Sequence, residues 1–261
     1  MDSYRERTLH AVKLLKESGR VTSFTGAGIS TESGISDFRS TGGVWERYRI
    51  VTYDEFISER EKRIEYWHMK NDLFQEMKGA HPNKAHTALA SMEKMGKVTC
   101  LITQNIDGLH QDAGSTNVIE LHGTNRKALC LTCGKIWPIE DIQEKLEEQG
   151  FDPLCDECRG FIKPATISFG QAMPQQEMMK AYACAHQCEL FLMIGSSLQV
   201  EPAASIPRAA HRAGARLIYI NRTETPSDHL AEVIFRENAG EVLSSIVSGF
   251  TEERDFLKPR D

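Results

Sequence analysis

Four of the seven cysteines form two pairs whose spacing is typical of a metal site. The pairs, Cys130-x-x-Cys133 and Cys155-x-x-Cys158, are separated by 21 residues. Four thiolates are a complete tetrahedral ligand set for Zn²⁺. Because such a shell leaves no position for an activated water, the spacing predicts a zinc ion that holds structure and does no chemistry.

A glycine-rich loop follows the first apolar run and could bind phosphate. The run from Val21 to Phe24 leads into Gly26-Ala27-Gly28, where backbone N–H groups can approach a pyrophosphate beside a helix N-terminus. Thr31 stands at the third glycine position of the usual dinucleotide fingerprint, and no acidic strand end follows. A hydride-transfer dehydrogenase is therefore disfavoured. On its own, the glycine pair is as typical of a tight turn as of a dinucleotide-binding loop.

An acid, an aromatic ring and a guanidinium come next in the same loop, as Asp37, Phe38 and Arg39. An arginine can neutralise phosphate, and a phenylalanine can shield a reactive sugar from water. The alternative is an ion pair between Asp37 and Arg39 with the phenyl ring in the core.

Polar residues also end two later strands. Gln104, Asn105 and Asp107 follow the apolar run that begins at Val98, and together they offer donors and acceptors to ribose hydroxyls or an amide. The alternative is that these three residues cap a helix or form a turn.

His122 follows the next apolar run, at 118–121. An imidazole with an ordinary pKa of about 6.5 suits a general base, although a lone histidine is often structural.

The order of elements predicts a sheet that would bring these loops together. Five short apolar runs read as strands, at 21–24, 98–103, 118–121, 189–194 and 216–220. Helical stretches are predicted at about 7–18, 83–95, 174–186, 203–213, 228–235 and 241–247. Strands that alternate with helices indicate an α/β fold with a Rossmann-like, doubly wound parallel sheet.

Two segments interrupt that alternation and predict a smaller lobe. Residues 45–77 form a charged, aromatic helical insertion, and residues 126–163 contain the cysteine pairs and form a zinc-binding module. The Rossmann-like domain would then comprise residues 1–44, 78–125 and 164–261. A cleft between two lobes is a common place for a ligand.

Composition excludes several classes of protein. The chain of 261 residues has a formal net charge of -6, so nucleic acid is an unlikely partner, and the acidic stretch 141–148 argues against a nucleic-acid-binding zinc ribbon. No run of about 18 apolar residues and no signal-peptide core occur, which predicts no membrane partner and a cytoplasmic location.

The remaining cysteines, Cys100, Cys184 and Cys188, are predicted to be small packing residues. A monomer is the simpler expectation for the oligomeric state.

Taken together, these segments closely resemble the sirtuin family of NAD-dependent protein deacylases, of the bacterial and archaeal type with a single catalytic core. The resemblance runs from about Val21 to Val247 and rests on GAGISTESGISDFRS at 26–40, TQNIDGLH at 103–110, LHG at 121–123, the two cysteine pairs and IGSSLQVEPAA at 194–204. Thr166 to Gly170 and Ile220-Asn221 also match.

The resemblance implies a reaction that consumes NAD. The acyl oxygen of an acyl-lysine attacks C1′ of the nicotinamide ribose and expels nicotinamide. His122, as general base, then activates a ribose hydroxyl that attacks the imidate, so that lysine and O-acyl-ADP-ribose are formed. Acylated lysine side chains of proteins are the implied partners.

The resemblance also assigns residues to NAD, to substrate and to zinc. Catalytic roles fall to His122, Asn105 and Asp107. NAD contacts fall to Gly26, Ala27, Gly28, Thr31, Asp37, Phe38, Arg39, Trp45, Gln104, Asn105, Ile106, Asp107, His122, Gly195, Ser196, Ser197, Asn221 and Ala239. Substrate contacts fall to Ile167, Phe169, Gly170 and Val200, and one structural zinc ion to Cys130, Cys133, Cys155 and Cys158.

Departures from the family pattern bear on the substrate. Ser36 replaces a usual proline, and Gln171 replaces a usual glutamate and removes a rim charge. Desuccinylating sirtuins use a tyrosine and, three positions later, an arginine; alignment places Trp67 and Lys70 there. Lys70 could still pair with a carboxylate, but it cannot make the two parallel hydrogen bonds that an arginine makes. The expectation is therefore a neutral acyl group.

Two other functions remain open at this stage. One is a protein mono-ADP-ribosyltransferase, which would use NAD and the neighbourhood of His122 but leave a heavier target protein. The other is a non-catalytic, NAD-responsive module that binds acyl-lysine, which the retained histidine argues against.

Overall fold

The structure is a computed structural model and describes residues 3–38 and 42–256. Along the chain it forms β1 (Val21–Thr25), β2 (Val98–Thr103), β3 (Val118–Glu120), β4 (Gly123–Cys130), β5 (Ile136–Pro138), β6 (Ile162–Thr166), β7 (Leu190–Ile194), β8 (Arg216–Ile220) and β9 (Val233–Phe235). The helices are α1 (Tyr4–Glu17), α2 (Val44–Arg47), α3 (Tyr53–Ser58), α4 (Arg60–Lys78), α5 (Lys84–Lys94), α6 (Leu109–Asp112), α7 (Ile139–Gln149), α8 (Gln175–Gln187), α9 (Ile206–Arg212) and α10 (Ala239–Phe256).

The larger sheet is parallel and has the order β3-β2-β1-β7-β8-β9. Its strands are apolar on both sides because each face is covered: α1, α5 and α10 pack on one face and α8 and α9 on the other. Strand order reverses between β1 and β7, so the loops that follow these strands diverge there and leave a crevice. The predicted doubly wound parallel sheet is confirmed.

A second hydrophobic cluster lies outside that sheet and joins the two predicted insertions. Side chains of α4, among them Trp67 and Leu73, pack with residues of the three-stranded antiparallel sheet β5-β4-β6 and of α7. Trp67 is fully buried, and its indole Nε1 donates a hydrogen bond to the Ile162 carbonyl oxygen at 3.2 Å. The smaller lobe therefore has its own core, while the exact residue boundaries of the two lobes stay a prediction.

One predicted helix is wrong. Residues 228–235 form a single 3₁₀ turn at Asp228–Leu230 and then β9, which pairs with β8 at the edge of the sheet. Over so short a stretch the spacing of apolar residues fits a helix and a strand equally well, and pairing with β8 stabilises the strand. The first helix begins at Tyr4, earlier than predicted, because Ser3 and Glu6 form a capping box at its start.

No helix among the described residues is both long and apolar enough to cross a membrane.

Candidate active site

The loops after β1 and β7 pack tightly against each other at the crevice. Gly26 N–H donates to the Ile194 carbonyl at 3.0 Å, and Gly28 N–H donates to the Gly195 carbonyl at 2.9 Å. A Cβ at Gly26 would lie 2.7 Å from the Gly195 oxygen, and one at Gly28 would lie 2.8 Å from the Gly195 Cα. Close approach of the two backbones, more than unusual dihedral angles, therefore requires these glycines.

A polar cavity of about 380 Å³ opens at this crevice, and we call it the loop cavity. Most residues that the sequence assigned to NAD line it: Gly26, Ala27, Gly28, Thr31, Asp37, Phe38, Gln104, Asn105, His122, Gly195, Ser196, Ser197, Asn221 and Ala239. The structure thus gathers segments that are more than 200 residues apart in the chain.

A network of hydrogen bonds holds the strand-end residues under the loop cavity. Gln104 Nε2 donates to Ser196 Oγ at 2.8 Å, which ties the loop after β2 to the loop after β7. Asn105 Nδ2 donates to Ser30 Oγ at 3.1 Å, and that hydroxyl donates to Asp107 Oδ2 at 2.7 Å. Asp107 lines neither this cavity nor the one described next, so its place in the structure is to orient Ser30 and, through it, the Asn105 amide.

A second cavity, of about 250 Å³, lies between the large sheet and the smaller lobe, and we call it the lobe cavity. Trp45, Ile106, Ile167, Phe169 and Gly170 line it, and four residues line both cavities: Phe38, Gln104, His122 and Val200. The rings of Phe38 and Trp45 lie 5.1 Å apart, and those of Trp45 and Phe169 lie 5.8 Å apart. An aromatic wall therefore lines the lobe cavity and reaches the junction at Phe38.

His122 stands at that junction with its tautomer fixed. Its Nδ1 lies 2.9 Å from the Gln104 backbone carbonyl oxygen. Because a carbonyl only accepts hydrogen bonds, Nδ1 carries the proton and Nε2 is left as a proton acceptor. Burial disfavours the imidazolium and lowers the pKa of His122 below its ordinary 6.5, although the carbonyl partially opposes this.

The structure adds residues that the sequence analysis did not identify. Tyr66 and Met69 of α4 line the lobe cavity, beside Lys70, which the alignment had already placed at an acyl-recognition position. Glu32, Arg222, Thr223 and Glu237 line the loop cavity. Trp67, which the alignment placed at an acyl-recognition position, is turned into the core instead. The buried residues of α4 recur at helical spacing and form one broad face, so spacing alone does not identify which of them line the cavity and which pack in the core. Arg39 lies outside the described residues.

The four paired cysteines come together as predicted. Their Sγ atoms all lie within 4.8 Å of one another, with 3.4 Å between Cys130 and Cys158 and 3.7 Å between Cys133 and Cys155. Four sulfurs at about 2.3 Å from one zinc ion would stand about 3.8 Å apart, so the set fits a tetrahedral site. Backbone N–H groups of Thr132 and Cys133 point at the Cys130 sulfur, as expected around a thiolate.

Two of the three remaining cysteines do more than pack. Cys100 of β2 and Cys184 of α8 form a disulfide, although both were predicted to be separate packing residues. Their sequence separation of 84 residues gives no local signal of the pairing. Cys188 is a free, buried cysteine in the same core, as predicted.

The fold and the site together define a class: an α/β protein with a polar crevice at the point where strand order reverses, a buried histidine between two cavities, and a second lobe whose four cysteines fit a zinc ion. Residues 26–202 match the model of the Sir2 family. The chain therefore belongs to the Sir2 family.

Similarity to named relatives extends over nearly the whole chain. An NAD-dependent protein deacetylase of Thermodesulfovibrio yellowstonii is 51% identical over 97% of this chain and 98% of its own length. An NAD-dependent protein deacylase of Thermococcus sibiricus is 38% identical over 91% of this chain and 94% of its own length.

Solved structures agree with this fold. A Sir2 enzyme described with a p53 peptide and NAD⁺ is 38% identical, with a TM-score of 0.82 over 95% of this chain and 98% of its own. Another, a substituted Sir2 described with a deacetylated p53 peptide and 3′-O-acetyl ADP-ribose, is 37% identical, with a TM-score of 0.88 over 93% of this chain and 98% of its own.

Proposed function

We propose that this chain is an NAD-dependent protein-lysine deacylase that removes acetyl or a related acyl group from lysine. The observation that carries the proposal is the position of His122, whose proton-accepting Nε2 belongs to a ring that lines both the loop cavity and the lobe cavity. The family, and relatives that are named deacetylases and deacylases, support the same activity.

The loop cavity suits a dinucleotide. Its polar lining lies where strand order reverses, the usual place of a nucleotide in a parallel sheet, and Ser196, Ser197 and Asn221 offer hydroxyl and amide groups to a ribose. NAD bound there supplies an electrophilic C1′ carbon and free ribose hydroxyls. Asn105, held by Ser30, is placed to bind the amide or the ribose beside the histidine.

The lobe cavity suits the acyl-lysine. Ile167, Phe169, Gly170 and Val200 form the strip along which an extended peptide would add as a strand. Ile167 N–H already bonds the His122 carbonyl at 2.9 Å, which fixes this strip relative to the base. Phe38 and Trp45 exclude water from the junction, and His122 accepts the proton of the attacking ribose hydroxyl.

The overall reaction balances with one water. Acyl-lysine, NAD⁺ and water give protonated lysine, nicotinamide and O-acyl-ADP-ribose. Positioning and water exclusion, and not a metal, carry this chemistry, which agrees with a closed four-sulfur zinc site in the other lobe.

The lobes and the location complete the proposal. Residues 1–44, 78–125 and 164–261 would form the NAD-binding domain, and 45–77 with 126–163 the small lobe. We propose a cytoplasmic location, which bacterial and archaeal relatives support. We also propose a monomer whose partners are acylated proteins.

Substitution of the crowded loop glycine tests the NAD site. We expect Gly28→Ala to weaken NAD binding by about tenfold or more, because the new Cβ would collide with the Gly195 backbone and separate the two loops. Titration calorimetry with NAD measures this. Gly79→Ala is the matched control, since nothing lies within 4 Å of a Cβ there; equal NAD affinity of both variants would contradict the site.

The pH profile tests the base. A general base works in its neutral form, which predominates above its pKa, so a lowered pKa keeps His122 active at lower pH than free histidine. We expect the acid limb of kcat/KM to have its midpoint below pH 6.5. A midpoint at or above 6.5 would contradict the burial of the imidazole.

The activity itself is tested by mass spectrometry of an acetyl-lysine peptide incubated with and without NAD. We expect loss of the acetyl group that depends on NAD. A target that gains an ADP-ribosyl group would show a transferase instead, and binding without turnover would show a non-catalytic module.

A further inference from the structure

A buried histidine lies behind the segment that lines the two cavities, and the proposed deacylation does not use it. His110 of α6 is 1% exposed and lines neither the loop cavity nor the lobe cavity. It follows the loop 104–108, which joins β2 to α6 and begins with Gln104 and Asn105. Because the ring does not reach a cavity, any part that it takes in turnover acts through its neighbours.

The ring of His110 closes this loop back onto its starting point. His110 Nε2 lies 2.9 Å from Thr25 Oγ1, at the end of β1. The Thr25 hydroxyl donates to Thr103 Oγ1 at 2.8 Å, and the same Thr103 oxygen accepts the Asn105 backbone N–H at 3.0 Å. A continuous chain of buried hydrogen bonds therefore joins the start of α6 to the backbone of Asn105.

This chain fixes the tautomer of His110. The Thr25 hydroxyl gives its one proton to Thr103, so it accepts a hydrogen bond from the imidazole, and His110 Nε2 carries the proton. Burial, together with the His86 ring whose centre lies 4.8 Å away, lowers the pKa of His110 to about 3, so the ring is uncharged near neutral pH. Nδ1 is then unprotonated, and it has no hydrogen-bond partner among the described residues. The bond to Thr25 is what orients the ring.

Thr25 also holds the residue that orients the proposed base. Gln104 N–H donates to the Thr25 carbonyl oxygen at 2.9 Å. The carbonyl oxygen of Gln104 in turn accepts the Nδ1 proton of His122 at 2.9 Å. A change in the position of Thr25 would therefore reach both the Gln104 carbonyl that fixes the His122 ring and the backbone of Asn105.

We propose that His110 is a positioning residue for the reaction: its Nε2–H orients the Thr25 hydroxyl, and through it the backbone of residues 104–105. This rests on the proposed deacylase function and adds a residue to it. Misplacement of a reacting group by about 1 Å can cost about 100-fold in rate, so a chain of hydrogen bonds remote from the substrate can affect turnover.

Two substitutions separate the hydrogen bond of His110 from the packing of its ring. Phenylalanine keeps most of the ring volume but has no N–H, whereas glutamine places an amide N–H near the position of Nε2. With saturating NAD and acetyl-lysine peptide, His110→Phe should lower kcat by about tenfold or more, and His110→Gln should keep kcat within about threefold of the unmodified protein. KM for the peptide should change less than about threefold in both variants, because His110 does not line the lobe cavity.

Tyr219→Phe is the matched control. It removes another buried polar group, the hydroxyl of a fully buried side chain on β8, and should keep full kcat.

A double-mutant cycle tests whether the effect passes through Thr25. Thr25→Val removes the hydroxyl and keeps nearly the same shape, so by itself it should lower kcat about as much as His110→Phe does. Because both substitutions break one chain, the double variant should be slower than the slower single variant by less than about threefold. Two effects that multiply in full, or a His110→Gln variant as slow as His110→Phe, would show that the ring only packs and would overturn the inference.

Melting temperatures show which variants are folded. If His110→Phe does not fold, Thr25→Val decides alone, and an unchanged kcat in that variant overturns the inference.

NAD affinity provides a readout that does not depend on turnover, since Asn105 is placed to bind the amide or the ribose of NAD. In calorimetry with NAD, His110→Phe should weaken binding by about threefold or more, and His110→Gln by less. If the peptide is turned over but His110→Phe and Thr25→Val keep both kcat and NAD affinity, the inference is overturned while the deacylase function stands. If no acyl peptide is turned over, the deacylase function fails, and the NAD affinities decide whether His110 positions the segment. A protein that also does not bind NAD would overturn both.

Discussion

His122→Ala should lower kcat for deacylation by about 10²- to 10⁴-fold, the usual contribution of a positioned general base. The ring is held by one hydrogen bond from Nδ1 to the Gln104 carbonyl and lines both cavities, so its loss removes the proton acceptor without removing either binding surface. Initial rates with an acetyl-lysine peptide and NAD measure the effect. KM for the peptide should change much less than kcat.

A second histidine controls for the substitution. His211 lies at an exposed position of α9, and the variant His211→Ala should keep full activity. The melting temperatures of both variants should match that of the unmodified protein, which would show that the histidine acts in turnover and not in folding. Unchanged turnover by His122→Ala would contradict the role of His122 as the general base. Binding of acyl-lysine without any turnover by the unmodified protein would favour the non-catalytic binding module.

Removal of zinc should have the largest effect on stability. Structural zinc sites contribute on the order of 10 kcal/mol of apparent folding free energy in small modules, and here Cys130 and Cys155 belong to the core that also contains Trp67 of α4. We expect a strong chelator to release one zinc ion per chain, to unfold the small lobe and to abolish activity, because α4 forms a wall of the lobe cavity. Metal analysis and thermal melting measure these effects.

Cysteine variants separate zinc binding from general effects of thiol loss. Cys155→Ala should lose the metal and melt at a markedly lower temperature. Cys188→Ala removes a buried thiol from the core of the large sheet, outside the core that contains Cys130 and Cys155, and this variant should retain its zinc. A melting temperature that does not change on chelation would show that the four cysteines hold no structural metal.

Much of the fold follows from the sequence because the polar segments stand where strands end. Gly26 to Gly28, Gln104 and His122 each follow an apolar run, and in a parallel sheet the carboxyl ends of the strands meet at one edge. The paired cysteines were equally informative, since two short, fixed spacings leave few geometries for four sulfurs. These features are local in the chain, and their chemistry is specific to the residue type.

Other features depend on contacts between distant residues. Whether residues 233–235 form a strand is decided by pairing with β8, and the Cys100–Cys184 disulfide joins β2 to α8. The direction in which Tyr66 and Lys70 face depends on how α4 docks on the zinc-binding module, which helical periodicity does not specify. Which side chains of α4 line the lobe cavity could therefore be seen only in the structure.

The most direct test of the account follows the acyl group itself. A peptide whose acetyl-lysine carries ¹³C in the acetyl carbonyl is incubated with NAD, and the products are followed by mass spectrometry at early times. The account predicts labelled O-acetyl-ADP-ribose in equal amount to nicotinamide and to free lysine peptide. Labelled acetate formed without release of nicotinamide would contradict it, because the acyl group would then pass to water without NAD.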